Sequence, residues 1–457
     1  MNFSTIIVFA LPLLAFSAAF IFSRFSLGAS LSALLTVGYF SGVIRGNFMS
    51  VFTTFMFDMA VLGVYLGVLF NQPEIVGRIR KLSILSWLIP LVLWPLVVAT
   101  IPVNDIMIQM LAFRSTVWLL PLMLLGARIS EKDLTLVARV LVALNLCALA
   151  GGLYCYFYGV TSLYPIRNAV TEIIYKSGDV KGGYLRIPSI FLSSAAYGGT
   201  MLASLPFIVN RLFHPQANGT EKLWMLAGLG AACIGIAICA SRAPAVAAVI
   251  ILLMVWFFSG FSARVGIPIL IGFTLFVILV LSNERFQRVT SIFEEDTLSR
   301  RLGGSVNRNF MELFFDYPFG AGMGSSVGTS IPYFLSNRAP KPIGLENEYS
   351  RILIDQGWIG LFLWGMFLFW VHVPWPKLKH VRSNFKFGTL MIYAASITTW
   401  CTAVIGSGTL SAVPGSAMLL INMGIIVARR EEFAAAAKRI AVRRRPPSPQ
   451  SRWQPDL

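Results

Sequence analysis

Charged side chains are scarce in this chain: Asp, Glu, Lys and Arg make up 12% of its 457 residues, roughly half the share of an ordinary soluble domain. Water therefore cannot be its main solvent. Histidine is limited to His214, His372 and His380. The five cysteines (Cys147, Cys155, Cys233, Cys239 and Cys401) all lie in apolar stretches, where cysteine behaves as a small hydrophobe. Their spacing matches no metal-ligand pattern, so neither a disulfide framework nor a zinc site is expected, and no cofactor or essential metal is implied. Acidic residues are the rarer sign, 20 against 37 Lys and Arg. A nucleic-acid binder would gather that excess of cations on a solvated face; here they fall between apolar stretches. The expected partner is the lipid bilayer and not nucleic acid.

What is abundant is apolar length. Hydrophobic residues make up 56% of the chain, and windows of about 20 of them, enough to span a bilayer, recur from Thr5 to Val427. The pattern predicts an all-α, polytopic integral membrane protein of about 12–13 transmembrane helices. The spans lie near 5–22, 28–44, 49–70, 82–101, 108–125, 134–158, 190–210, 223–240, 244–259, 266–282, 353–372, 387–405 and 409–428. The lower count applies if the second segment, rich in Gly and Ser, is re-entrant. The first segment lacks a basic leader and a small-residue cleavage site, so it is expected to be a retained helix. Residues 1–429 thus form a membrane domain, and 430–457 form a basic tail with Pro446, Pro447 and Pro449, expected to be disordered and drawn to anionic headgroups.

Cations near span ends set the orientation. Arg78, Arg80 and Lys81, then Arg128 and Lys132, then Arg211 and Lys222, then Lys377, Lys379, Arg382 and Lys386 fall on alternate connections with the tail. These are placed in the cytoplasm. Two longer connections, 159–189 and 283–352, then face the other side. The second is basic nonetheless, with Arg285, Arg288, Arg300, Arg301, Arg308, Arg338 and Lys341, and long loops escape the charge rule.

Within that loop, Val306, Phe310, Met311, Phe314 and Phe315 form one apolar stripe on a helix, suited to a membrane surface, with Arg301 and Arg308 sharing a face two turns apart. Pro318, Gly320, Gly322 and Gly324 then end the helix with backbone able to approach a ligand. Glu346-Asn347-Glu348-Tyr349 follows, and Asp355, Gly357 and Gly360 lead into the next span. With the glycine run ahead of them, Asn347, Tyr349, Asp355, Gly357 and Gly360 stand in the register His-Asn-x-Tyr-Leu, acidic residue, Gly, Gly. Ser241-Arg242, and Tyr184-Leu185-Arg186 with Ser189 and Phe191, complete the pattern. Over about 185–365 the chain resembles the O-antigen ligase and Wzy-type polysaccharide polymerase superfamily.

The resemblance implies a GT-C-like fold in a bacterial inner membrane, with a large periplasmic loop containing short helices. The implied substrates are an undecaprenyl-diphosphate-linked oligosaccharide donor and acceptor, with a chain-length regulator and a flippase as further partners. Ligases of this family carry His where this chain has Glu346, and the three histidines lie at the cytoplasmic side, which leaves no external histidine base. The departure favours a polymerase over a ligase. Arg186, Arg242, Arg301 and Arg308 are assigned to the diphosphate, since a guanidinium meets phosphate through a planar fork and stays charged. The plainer alternative is snorkelling to headgroups.

Glu346 is assigned as general base for an inverting, metal-independent displacement, against the alternative of an acidic helix cap. Glu348 is an equally acidic candidate whose side chain diverges by about 200° on a helix. Asn347 and Tyr349 are candidates for substrate hydrogen bonds, although tyrosine is common at membrane interfaces anyway. Glu294-Glu295-Asp296 is read as a solvated run lacking calcium's ligand count. Asp58 sits mid-span, a costly position that hints at function, and has no assigned role. A transporter or flippase is the rival reading; the lack of two matching halves counts against it.

The orientation can be checked with cysteines introduced into a background whose native five are replaced by alanine. Arg338→Cys should react with a membrane-impermeant thiol reagent reaching only the outer face, and Arg80→Cys should not; the reverse pattern inverts the topology.

Overall fold

The computed structural model describes residues 3–176, 185–258, 261, 266, 274, 309–326, 332–338, 347–373, 383–404, 406 and 408–443. Among these every regular element is a helix. The first half contains α1 (Phe3–Phe22), α2 (Leu27–Asn47), α3 (Val51–Thr54), α4 (Met56–Asn71), α5 (Pro73–Ile79), α6 (Leu85–Ala99), α7 (Ile106–Val117), α8 (Leu122–Gly126) and α9 (Glu131–Tyr158). Two short helices, α10 (Val160–Leu163) and α11 (Glu172–Tyr175), precede α12 (Ser194–Leu212), α13 (Gly219–Ile238) and α14 (Arg242–Phe258). The described remainder is α15 (Asn309–Asp316), a 3₁₀ turn (Tyr333–Arg338), α16 (Glu348–His372), α17 (Ser383–Thr402) and α18 (Gly415–Arg443).

Among the described residues five stretches are long and apolar enough to cross a membrane: α2, α7 with α8, α9, α13 and α16. The pair α4–α5, bent by 99°, makes a sixth if counted as one span. The protein is therefore a multi-pass integral membrane protein by helix length and hydropathy. Shorter apolar helices cover Val8–Phe22, Leu85–Ala99 and Arg242–Phe257. The second predicted segment is one continuous helix of 21 residues, about 30 Å long, and not a re-entrant turn. Most of the span predicted at 266–282 lies outside the described residues. The last helix continues to Arg443, so the part of the basic tail from Arg430 to Arg443 is helical; the stretch from Glu431 to Ala441 is rich in Ala, Glu, Lys and Arg, all strong helix formers.

Helix starts follow from local chemistry. Ser26, Ser50, Asp105, Ser130, Ser193, Asn218 and Asn347 each cap a helix by accepting a backbone N–H within its first turn, the usual answer to unpaired amides at that end.

The two ends of the bundle are chemically distinct. At one end Asp133 at the start of α9 accepts from the Gly28 amide at the start of α2 (2.9 Å), and Arg429 reaches Glu131 (3.4 Å). Arg139 and Arg211 both pair with Glu221, and Arg128 donates to the Arg78 carbonyl (2.6 Å). These contacts join the connections bearing the short-loop cations. From that end α2 and α9 run to the opposite one, where the Val43 amide donates to the Ile190 carbonyl (2.8 Å) and the Asn168 side chain donates to the Gly46 carbonyl (2.9 Å).

The break in α16 is the most informative local feature. Gly357 sits at φ 68°, a conformation that glycine adopts at little cost. A break in a membrane helix needs its freed polar groups satisfied, and here neighbours supply the partners. The Ala321 amide donates to the Ile354 carbonyl (2.7 Å) and the Trp358 amide to Pro318 (2.8 Å). The Trp94 ring N–H donates to the Gln356 carbonyl (2.9 Å) and the Trp358 ring N–H to Phe314 (2.7 Å). Asp355, 2% exposed, accepts from the amides of Gly324 (3.2 Å) and Ser326 (3.0 Å) and from the Ser326 hydroxyl (2.6 Å).

The glycine run is thus wedged into protein. A Cβ on Gly320 would lie 2.8 Å from both the Gly357 nitrogen and the Ile354 oxygen, one on Gly322 2.9 Å from Val103, and one on Gly324 2.6 Å from Ile108. The expectation that these glycines admit a ligand is corrected: they admit α16, α7 and the residue that leads towards α7. In α15, Leu313 packs on Leu353 and Ile354, while Met311 and Phe315 face outward, as a surface helix in contact with lipid requires.

Gly357→Ala would set a Cβ 2.6 Å from the Phe319 carbonyl carbon at a positive φ. It should destabilise the protein by about 1–3 kcal/mol, read as a lowered unfolding midpoint in detergent.

Candidate functional site

A cavity of about 810 Å³ opens among the helix ends opposite the cation-rich end. Its walls come from the end of α2, the 54–58 turn into α4, the second half of α7, residues 169–173 and 186–203, the start of α14, the end of α17 and residues 408–422. Among the described residues three guanidinium groups line it, from Arg45, Arg114 and Arg186, and one carboxylate, from Asp58. Hydroxyls are frequent on the same walls, among them Thr54, Ser115, Ser396, Thr399 and Thr409.

Arg186 is brought here by a tightly held segment. Tyr164 donates to the carbonyls of Ser189 (3.0 Å) and Phe191 (2.7 Å), and Ser189 takes a left-handed φ of 54°. Phe191 stacks on Tyr197 with ring centroids 5.7 Å apart. The chain thus turns sharply into α12 with Arg186 ahead of the turn, half-buried at the cavity.

Asp58, expected mid-span, stands instead in the first turn of α4 because the segment breaks between Thr54 and Met56; its partner is Arg114, which grips both carboxylate oxygens, with an Nε–Oδ1 distance of 2.7 Å. The same guanidinium lies 5.1 Å from the Phe55 ring centroid, a cation–π contact. Beside it, Ser115 accepts from Arg351 (2.9 Å), which pairs with Glu348 (3.1 Å). Glu348 is 0% exposed and its other oxygen accepts from the amides of Gly408 (2.7 Å) and Thr409 (3.0 Å). Glu348 therefore supports the cavity wall from behind. At the rim, Glu172 meets Arg167 through two 3.0 Å bonds, and that guanidinium holds its carboxyl below the usual range.

Of the residues singled out by sequence, Arg186 lines the cavity. Arg242 begins α14 just before Ala243 and Pro244, which do line it, and is half-buried there. Asn347 is 2% exposed, and its side-chain oxygen accepts from the Ser350 amide (2.6 Å). Tyr349 donates to the Trp400 carbonyl (2.8 Å). Neither is among the lining residues: both hold the start of α16 against α17, with the Glu348 amide bonded to Ala403 (3.0 Å). Glu346, Arg301, Arg308, Tyr184 and the 294–296 acidic run lie outside the described residues. Among the described residues no group of three or more His, Cys, Asp or Glu side chains could hold a metal.

Sequence reading passed over Arg45 and Arg114. Both carried a signal: Arg114 is a second mid-span charge able to answer Asp58, and Arg45 is a short-loop cation on the side such cations avoid. No protein-family model matches the chain, and no curated protein does either.

Arg114→Gln would strand the Asp58 carboxylate and should destabilise the protein by up to about 3 kcal/mol. The double variant Asp58→Asn/Arg114→Gln should recover most of that loss, both read from unfolding midpoints in detergent.

Proposed function

We propose that this protein is a membrane glycosyltransferase of the polysaccharide polymerase type, moving a growing glycan from undecaprenyl diphosphate onto a lipid-linked repeat unit. The observation that carries the reading is the cavity itself: the guanidiniums of Arg45 and Arg186 and many hydroxyls, beside an Arg114 already paired with Asp58, at the end of an apolar bundle away from its cation-rich end. A lipid-linked sugar diphosphate presents matching chemistry, with an apolar tail, concentrated negative charge and a hydroxyl-rich glycan.

In this reading the bundle has 12–13 spans in a bacterial inner membrane, GT-C-like, with the cavity facing the periplasm and the C-terminus in the cytoplasm. The acceptor hydroxyl gives its proton to the Glu346 carboxylate as its oxygen attacks the anomeric carbon. The bond from that carbon to the diphosphate oxygen breaks, the diphosphate leaves with the electron pair, and configuration inverts. Arg186 and Arg242, with Arg301 and Arg308 from the long loop, stabilise the departing charge, the kind of preorganised electrostatics that usually contributes most to such catalysis. Asn347 and Tyr349 act by fixing the helix that follows Glu346.

Transfer to lipid A core by a ligase is the neighbouring alternative. Transport or flipping of the same lipid-linked sugar is favoured by one observation, the Asp58–Arg114 pair on the cavity wall, because charges within a membrane domain often mark a translocation path.

Purified protein incubated with lipid-linked repeat units should yield a ladder of longer glycans. Arg186→Ala, Arg242→Ala and Glu346→Gln should each abolish the ladder while leaving expression unchanged, and Arg242→Lys should be impaired because a point charge does not reproduce the fork. A single transfer to lipid A core would make the protein a ligase; movement of lipid-linked sugar without any new glycosidic bond would make it a transporter.

A further inference from the structure

Among the described residues, Arg45 is a cation of the cavity wall to which no carboxylate is bonded. It stands in the last turn of α2, at the cavity. Its Nε is buried without a hydrogen-bond partner. Among the described residues no carboxylate forms an ion pair with it, and the nearby Asp58 is already gripped on both oxygens by Arg114. Arg45 interacts electrostatically with both members of that pair, so the Asp58 attraction is offset by a like charge.

A structural role does exist, since a cation in the last helical turn is favoured by the helix dipole. A buried donor left without a partner costs more than that dipole returns, so the dipole alone does not account for an arginine here. An anion entering the cavity would answer a charge that no bonded carboxylate answers among the described residues.

We infer that Arg45 binds a phosphate of the lipid-linked diphosphate in this cavity, while Asp58 holds Arg114 away from the same anion. The planar donors of the Arg45 guanidinium, charged at any relevant pH, suit the oxygens of one phosphate. The identity of the anion rests on the transferase reading; the presence of an anion subsite rests on the cavity and on Arg45. Arg186, on the neighbouring wall, serves the same diphosphate.

The test is equilibrium binding of radiolabelled undecaprenyl diphosphate to the full-length protein in nanodiscs, with thermal unfolding followed in parallel. Arg45→Gln should weaken binding about tenfold or more, Arg45→Lys should fall between it and the wild type, and Arg80→Gln, at the cation-rich end, should bind as the wild type does. Arg45→Lys keeps the charge at the helix end, so loss of affinity there at an unchanged unfolding midpoint separates ligand binding from a dipole role. Wild-type affinity in both Arg45 variants overturns the inference, as does absence of binding by the wild type. Inorganic pyrophosphate binding as tightly as the lipid overturns the lipid-linked assignment. The two readings fail separately: Arg45-dependent binding without glycan transfer sinks the transferase and keeps the subsite, whereas a glycan ladder undiminished by Arg45→Gln keeps the transferase and sinks the subsite.

Discussion

A charge inside an apolar bundle has to be matched where it stands, because removing it from water costs several kcal/mol. That constraint organises this protein. Asp58 and Arg114 join α4 to α7, and Glu348 ties Arg351 to the 408–409 backbone. At the other end Glu221 gathers Arg139 and Arg211, and Arg429 draws together Glu131, Asn210 and Thr389. Each cluster fixes segments far apart in sequence, and the cavity is the space that these ties hold open at one end. Against that background an arginine without a carboxylate, on a cavity wall, reads as half of an interaction whose other half is a ligand.

Backbone polarity imposes the second constraint. The kink at Gly357 would be ruinous in lipid if the Ile354 and Gln356 carbonyls and the Trp358 amide were left bare. The turn from Pro318 to Ala321 and the Trp94 ring answer them, and Asp355 answers the next turn of the same loop. The most motif-like part of the chain is therefore a clasp between a loop and a broken helix. Its link to function is indirect: the clasp sets where α16 begins, and with it where Asn347 and Glu348 sit beside α17 and the cavity wall.

For the transferase reading this divides labour between two groups. Residues that look chemical in sequence, Asn347, Tyr349, Glu348 and Asp355, are bonded into the scaffold. Residues that look like stray cations, Arg45 and Arg186, line the space where chemistry would occur. Arginine suits that task because its charge persists at any relevant pH and its donors lie in one plane. An apolar surround with few competing carboxylates strengthens each such interaction.

Membrane character, the position of most of the described helices and the gathering of several short-loop cations at one end were legible in the sequence alone. Those properties are sums over short windows: about 20 apolar residues define a span wherever it packs, and an N-cap such as Ser193 or Asn218 acts on its own next turn. Only the tertiary structure decided that Asp58 belongs to Arg114, 56 residues away, that the glycines accommodate a helix, and that Arg45 lines the cavity with no carboxylate bonded to it among the described residues. Charge matching and close packing depend on which segments meet in space, and hydropathy, being local and indifferent to partners, carries no record of that.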